Sequence, residues 1–187
     1  DDRSFSAAYR RLRREVGSWK NLPRLSTARI RRLVEAAGLG NQRAREIKQI
    51  ARRLDRDFGS VTLSALSGMS TDEAEEYLLG LPGIGKKSAR CILMYSLARP
   101  AFPVDTHCFR ILNRLGVIEA NLPIRQHEDK IQRLIPPSLR YSLHVTLVAL
   151  GRDLCHSRTP RCAPCPIRTD CAYYRRTRER RHPQEKS

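Results

Sequence analysis

The sequence predicts an all-α protein. Three observations carry that expectation. Strand signals are nearly absent,. Apolar residues recur instead at helical spacing. The periodic segments also open on cap residues and close on glycine or proline.

The elements follow in chain order. Ser26 is placed to cap a helix that runs through Ala37 and is ended by Gly38,. In NQRAREIKQIARRLDRDF, residues 41–58, Ala44, Ile47, Ala51, Leu54 and Phe58 share one face at i, i+3, i+7, i+10 and i+14,. STDE at 70–73 has the form of a capping box, with Ser70 capping and Glu73 reaching back,. That helix runs to Leu79, where Gly80 stops it. After the connection LPGIG, a helix is expected from Lys86 to Ala98, closed by Pro100. Another begins near Asp105 and ends by Gly116. Two more fall at about 124–134 and 138–151, the second with Leu139, Leu143, Leu147 and Leu150 turned inward. The last 16 residues, AYYRRTRERRHPQEKS, carry no apolar residue after Tyr174 and are expected to fray. No internal repeat is present.

The chain has 187 residues, enough for one ordinary domain or two small ones,. Its net charge of +17, from 36 Lys and Arg against 19 Asp and Glu, suits a polyanionic partner. Nucleic acid leads that expectation, with an anionic membrane surface behind it. No apolar run is long enough to span a bilayer, and the start shows no signal-peptide pattern,. No membrane association is therefore expected. Lysine occurs only at positions 20, 48, 86, 87, 130 and 186, so the adjacent pair in LPGIGKKSAR stands out.

Residues 81–86, Leu-Pro-Gly-Ile-Gly-Lys, form a tight turn between two helices. Gly83 and Gly85 permit positive φ and close approach of the backbone to a ligand,. Free N–H groups at the next helix start make an anion seat, and a DNA phosphate fits one without any base being read. A plain helical hairpin would need the same glycines; the charge and the two lysines favour the phosphate reading. Cys155, Cys162, Cys165 and Cys171 lie within 17 residues at spacings x6, x2 and x5. Four thiolates in so short a loop favour zinc or an iron–sulfur cluster over disulfides. Cys91 and Cys108, inside apolar helices, read as core thiols.

LPGIGKKSA followed by VDTHCFRILNRLG at 104–116 resembles the helix-hairpin-helix and Gly/Pro…Asp pattern of the endonuclease III superfamily of DNA glycosylases. The resemblance covers about Ala28 to Cys171, with the helix-hairpin-helix at about 71–98. It implies that Lys87, immediately before Ser88, is the catalytic lysine and that Asp105 is the essential aspartate. Lys86, about 100° round the helix from Lys87, then points to phosphate or solvent. Asp105 also suits an N-cap, and the two roles are compatible. His107 reads as a local hydrogen-bonding partner. The cysteine spacing resembles the family's 4Fe-4S loop, with Cys155, Cys162, Cys165 and Cys171 as ligands and Arg158 and Arg161 on a phosphate-contacting surface. GLGNQRA at 38–44 resembles the loop that fills the gap left by an everted base. Leu39 would be the wedge, or would merely close a helix C-terminus.

The resemblance implies two helical lobes with a DNA cleft between them. Residues 22–118 form the barrel carrying the hairpin; residues 1–21 with 119–187 form the cluster lobe. It implies a monomeric, bifunctional DNA glycosylase and AP lyase of base excision repair. The substrate is double-stranded DNA with a damaged, chiefly oxidised, pyrimidine or an abasic site. Specificity for mismatched thymine or 5-methylcytosine, or a non-catalytic DNA-binding module, are the alternatives. An intracellular location with the DNA is expected, in a bacterial or archaeal cytoplasm rather than a eukaryotic nucleus. The family's L-S-x-Q-type pocket motif is expected upstream of Asp1, so one wall of the base pocket lies outside this sequence.

Overall fold

The computed structural model describes residues 2–38, 40–119 and 123–181, and among them every regular element is a helix. The α-helices are α1 (Asp2–Val16), α2 (Thr27–Val34), α3 (Asn41–Phe58), α4 (Thr71–Leu79), α5 (Lys86–Ser96), α6 (Thr106–Leu115), α7 (Ile124–Leu134), α8 (Arg140–Asp153) and α9 (Ala172–Arg181). Internal contacts part the chain into two compact units, Asp1–Gly85 and Lys86–Ser187. The division expected from sequence, 22–118 against 1–21 with 119–187, is a different cut through the chain.

In the first unit, α1, α2 and α3 share one core. Leu12, Val16, Leu22, Ile30, Ala44 and Ala51 are buried in it. Trp19 flanks the core, with Tyr9 at 6.0 Å and the Arg13 guanidinium over its ring at 5.2 Å. Ser26 caps α2 by accepting from the Arg29 N–H at 3.2 Å. The α2 segment ends as a 3₁₀ turn, Glu35–Ala37, closed by Gly38 in the left-handed conformation at φ 71°. The expected face of α3 is buried at Ala44, Ala51 and Leu54; Ile47 packs at the core margin, and Phe58 lies 5.1 Å from the Tyr77 ring. Ile30 is fully buried, which contributes roughly 1.5–3 kcal/mol by removing its apolar surface from water,. The capping box on α4 is complete: the Glu73 N–H donates to Ser70 Oγ at 3.2 Å, and the Ser70 N–H donates to Glu73 Oε2 at 2.7 Å,.

The second unit has its own core of Phe102, Val104, Cys108, Ile111, Leu112, Ile118, Ile131, Ile135 and Leu147. Here α6 packs on both α8 and α9, and α5 packs on α7. Two expectations are corrected. Leu139 does not face inward; it is 52% exposed in a 3₁₀ turn, Pro137–Leu139, because the paired prolines delay the start of α8 to Arg140,. Of the 16 residues expected to fray, 172–181 form α9, and 182–187 lie outside the described residues. The reason is tertiary. The Arg175 N–H donates to Cys171 O at 3.1 Å, and Tyr173 lies under the Arg114 guanidinium at 4.8 Å, so packing holds a helix that composition alone would not,. Among the described residues, no helix is long and apolar enough to cross a membrane.

Candidate functional site

The hairpin closes α4 and leads the chain into α5. Gly83 has φ 73°, and a β-carbon there would stand 2.5 Å from Glu46 Oε2 and 2.9 Å from Arg43 Nη1. The left-handed φ favours glycine here, while the space is taken only by the movable ends of Glu46 and Arg43,. Arg43 and Glu46, paired at 2.8 Å on α3, press against this turn, and Arg43 Nη1 donates to Gly83 O at 3.4 Å. Gly85 is exposed, with open space where a side chain would stand. Leu39 lies outside the described residues.

The two lysines at the start of α5 have different surroundings. Lys86 Nζ donates to Asp129 Oδ2 on α7 at 2.7 Å. Arg90, one turn on and 3% exposed, donates to Asp129 Oδ1 at 2.5 Å and to Glu128 O at 2.9 Å. A guanidinium so deeply buried needs a carboxylate, and Lys86 shares it. The Lys86 hydrogen bond, and then Arg90, hold the Asp129 carboxyl below the ordinary carboxylate range,. Lys86 is thus ion-paired while still partly exposed. It braces α5 to α7.

Lys87 is exposed. Its ammonium interacts with the Cys91 thiol one turn on. Burial raises that thiol; Lys87 opposes the rise, while the Asp105 carboxylate adds to it,. Lys87 and Asp105 thus both act on the same sulfur. Asp105 caps α6, its Oδ1 accepting from the Cys108 N–H at 2.7 Å,. Beneath it, Cys108 is fully buried, and burial pushes its thiol far up. Burial likewise lowers His144, whose Nδ1 lies 3.0 Å from Pro103 O and 3.5 Å from Cys108 Sγ. This ground beneath Asp105 is uncharged. Lys87 is an exposed amine and Asp105 a half-buried carboxylate, both within electrostatic range of Cys91. His107 does not join them: its Nδ1 meets Arg110 Nη2 at 3.1 Å, and its ring lies against Gly151.

Cys155, Cys162, Cys165 and Cys171 line one cavity together. All four are free, half-buried thiols. Burial raises Cys162 first, and the other three cysteines then raise it further, so the four sulfurs sense one another. Two arginines of α6 hold the loop. Arg114 Nη1 donates to Cys155 Sγ at 3.1 Å and to His156 O at 2.8 Å, while its Nη2 donates to Ser157 O at 2.8 Å. Arg114 O in turn accepts from Cys171 Sγ at 3.4 Å. Arg110 Nε donates to Cys155 O at 2.9 Å. Among the described residues, no three His, Cys, Asp or Glu are grouped to hold a single metal ion. Arg158 and Arg161 are exposed and border a groove shared with Tyr174 and Arg178.

Sequence reasoning missed Asp129, Arg110 and Arg114. The only signal for the arginines was their i, i+4 spacing on α6.

A family profile described as HhH-GPD superfamily base excision DNA repair protein matches residues 1–137. Endonuclease III of Thermotoga maritima is 35% identical over 144 residues, 77% of this chain and 63% of its own length. Protein ROS1A of Oryza sativa subsp. japonica is 31% identical over 173 residues, 83% of this chain but 9% of its own length. The chain thus spans less than two thirds of either relative. A solved non-covalent endonuclease III–DNA complex shares the fold, with TM-score 0.77 at 22% identity over 92% of this chain and 76% of that one.

Proposed function

The chain belongs to the HhH-GPD superfamily of base excision DNA repair proteins, and on that premise we propose that it is a bifunctional DNA glycosylase and AP lyase. Its substrate is a damaged, chiefly oxidised, pyrimidine in duplex DNA. One observation carries the reading: Lys87, free of the ion pair that engages Lys86, is exposed within electrostatic reach of the sulfur that Asp105 also acts on.

The neutral Lys87 amine attacks C1′ of the everted nucleotide as the glycosidic bond breaks. The bond's electron pair leaves with the base, which takes up a proton. The Asp105 carboxylate stabilises the cationic sugar and accepts the proton the amine sheds. Ring opening leaves an imine between Lys87 and C1′. Loss of a C2′ proton then expels the 3′ phosphate and cuts the strand. Gly83, Gly85, Arg158 and Arg161 would meet phosphates, supported by the +17 charge,.

Cys155, Cys162, Cys165 and Cys171 would hold a 4Fe-4S cluster. Four soft thiols line one cavity, a donor set that an iron–sulfur group takes,. When bound, that group supplies cross-linking of the loop rather than chemistry at the base.

The test is borohydride reduction with a duplex containing an abasic site. The wild-type protein should give a covalent protein–DNA adduct, and Lys87→Gln should give none while still binding DNA. An adduct that persists in Lys87→Gln would overturn the assignment.

A further inference from the structure

Tyr95 and Tyr141 leave large apolar surfaces open in the second unit, at 55% and 58% exposed. Their rings meet edge-on, with centroids 6.2 Å apart at 75°. The pair is anchored from below. Tyr95 lies 5.9 Å from the ring of buried His144, which stands edge-on to fully buried Phe102 at 5.7 Å. Tyr95 is two turns beyond Lys87 on α5, with Cys91 between them, so amine, thiol and phenol form one strip,. Val145, one turn beyond Tyr141 on α8 and 40% exposed, widens the apolar surface. Lys87, Cys91 and Tyr95 share one face of α5, so this surface continues along the helix from the amine,.

Both rings leave more than half of their surface open. They offer π-faces beside the reacting amine. A base that leaves the duplex loses its stacking partners, and aromatic side chains restore them. We infer that Tyr95 and Tyr141 form an aromatic ledge on which the everted base stacks beside Lys87. The inference rests on the glycosylase reading of Lys87 and Asp105. It also narrows the substrate class. A π-face rewards flat rings, so the ledge favours planar pyrimidines over ring-saturated, puckered ones.

The experiment uses the full chain and two uncleavable duplexes. One carries 2′-fluoro-5-hydroxyuridine and the other a tetrahydrofuran abasic analogue. Tyr141→Ala should weaken binding to the first, relative to the second, about tenfold. Tyr141→Phe should hold the ratio within about twofold, because the ring and not the hydroxyl stacks. Tyr141→Leu, which keeps apolar bulk for folding, should lose the ratio as the alanine does. With 2′-fluoro-5,6-dihydrouridine, whose ring is puckered, wild type should bind less tightly than with the planar base. An unchanged ratio in Tyr141→Ala, or equal weakening on both duplexes, overturns the ledge. Failure of the glycosylase reading would show separately, as absence of a borohydride adduct from the wild type.

Discussion

Substitution at Asp105 separates a structural role from a chemical one. Its Oδ1 accepts the Cys108 N–H at 2.7 Å at the first turn of α6. Asp105→Ala removes that acceptor, and loss of an N-cap costs about 1 kcal/mol, within a range of roughly 0.5–2. For a chain of this size each kcal/mol lowers Tm by about 2–4 °C. Asparagine caps about as well as aspartate, so Asp105→Asn should lose only a few tenths of a kcal/mol. Chemistry should rank the variants differently. A neutral amide neither accepts the proton nor stabilises a cationic sugar, so both variants should slow base release by orders of magnitude. The assays are thermal unfolding and single-turnover base release on the same preparations. Wild-type release by Asp105→Asn would reduce Asp105 to a cap. A Tm loss in Asp105→Asn equal to that in Asp105→Ala would show that the cap does not contribute.

Gly151→Ala should cost about 1–3 kcal/mol by overpacking, because its β-carbon would stand 2.5 Å from His107 Nδ1 and 2.8 Å from His107 Cβ,. A Tm gain, as for an ordinary helical glycine replaced by alanine, would refute the close α6–α8 contact. Asp129, held below its ordinary 3.8 by Lys86 and then Arg90, stabilises the fold fully above that value and loses the contribution as pH falls through the lower folded value,. Asp129→Asn should therefore flatten the fall of urea midpoint with acid below about pH 4, modestly because the carboxylate is half exposed; an unchanged curve would refute the brace. Purified protein should contain about four irons per chain, and Cys165→Ser should lower iron content, solubility and DNA affinity together. One zinc and no iron would refute the cluster.

The helices were legible where local chemistry decides them. Ser70 with Glu73 and Gly38 after Ala37 act through bonds a few residues long, and each stands where the spacing put it. The misses involve partners far along the chain. Residues 172–181 are too polar to read as a helix, yet Tyr173 finds Arg114, 59 residues earlier on α6. Lys86 looked free because Asp129 lies 43 residues away. Leu139 matched a heptad-like face but falls before the helix begins. The candidate site divides in the same way. The hairpin, the lysine pair, Asp105 and the four cysteines were visible as motifs. Arg110, Arg114, Tyr95 and Tyr141 were not, because arginine and tyrosine on a helix read equally well as solvated or packed.

The two adjacent lysines acquire separate duties from this geometry. They project about 100° apart on α5. Lys86 and Arg90 are one turn apart, so both cations face α7 and converge on Asp129. Those two hydrogen bonds to one carboxylate fix the rotation of α5 about its axis. With the rotation fixed, Lys87 can only present itself on the adjoining face, above Cys91 and Tyr95. A lone lysine at position 87 would sit on a helix pinned by Arg90 alone. Nucleophilic attack depends on placing the amine to within a fraction of an ångström. On the proposed mechanism Lys86 would act through position rather than contact, and Lys86→Met should slow imine formation at Lys87 more than it weakens DNA binding. Equal losses in the two, measured by borohydride trapping rate and by equilibrium binding, would return Lys86 to the phosphate-contacting role the sequence first suggested.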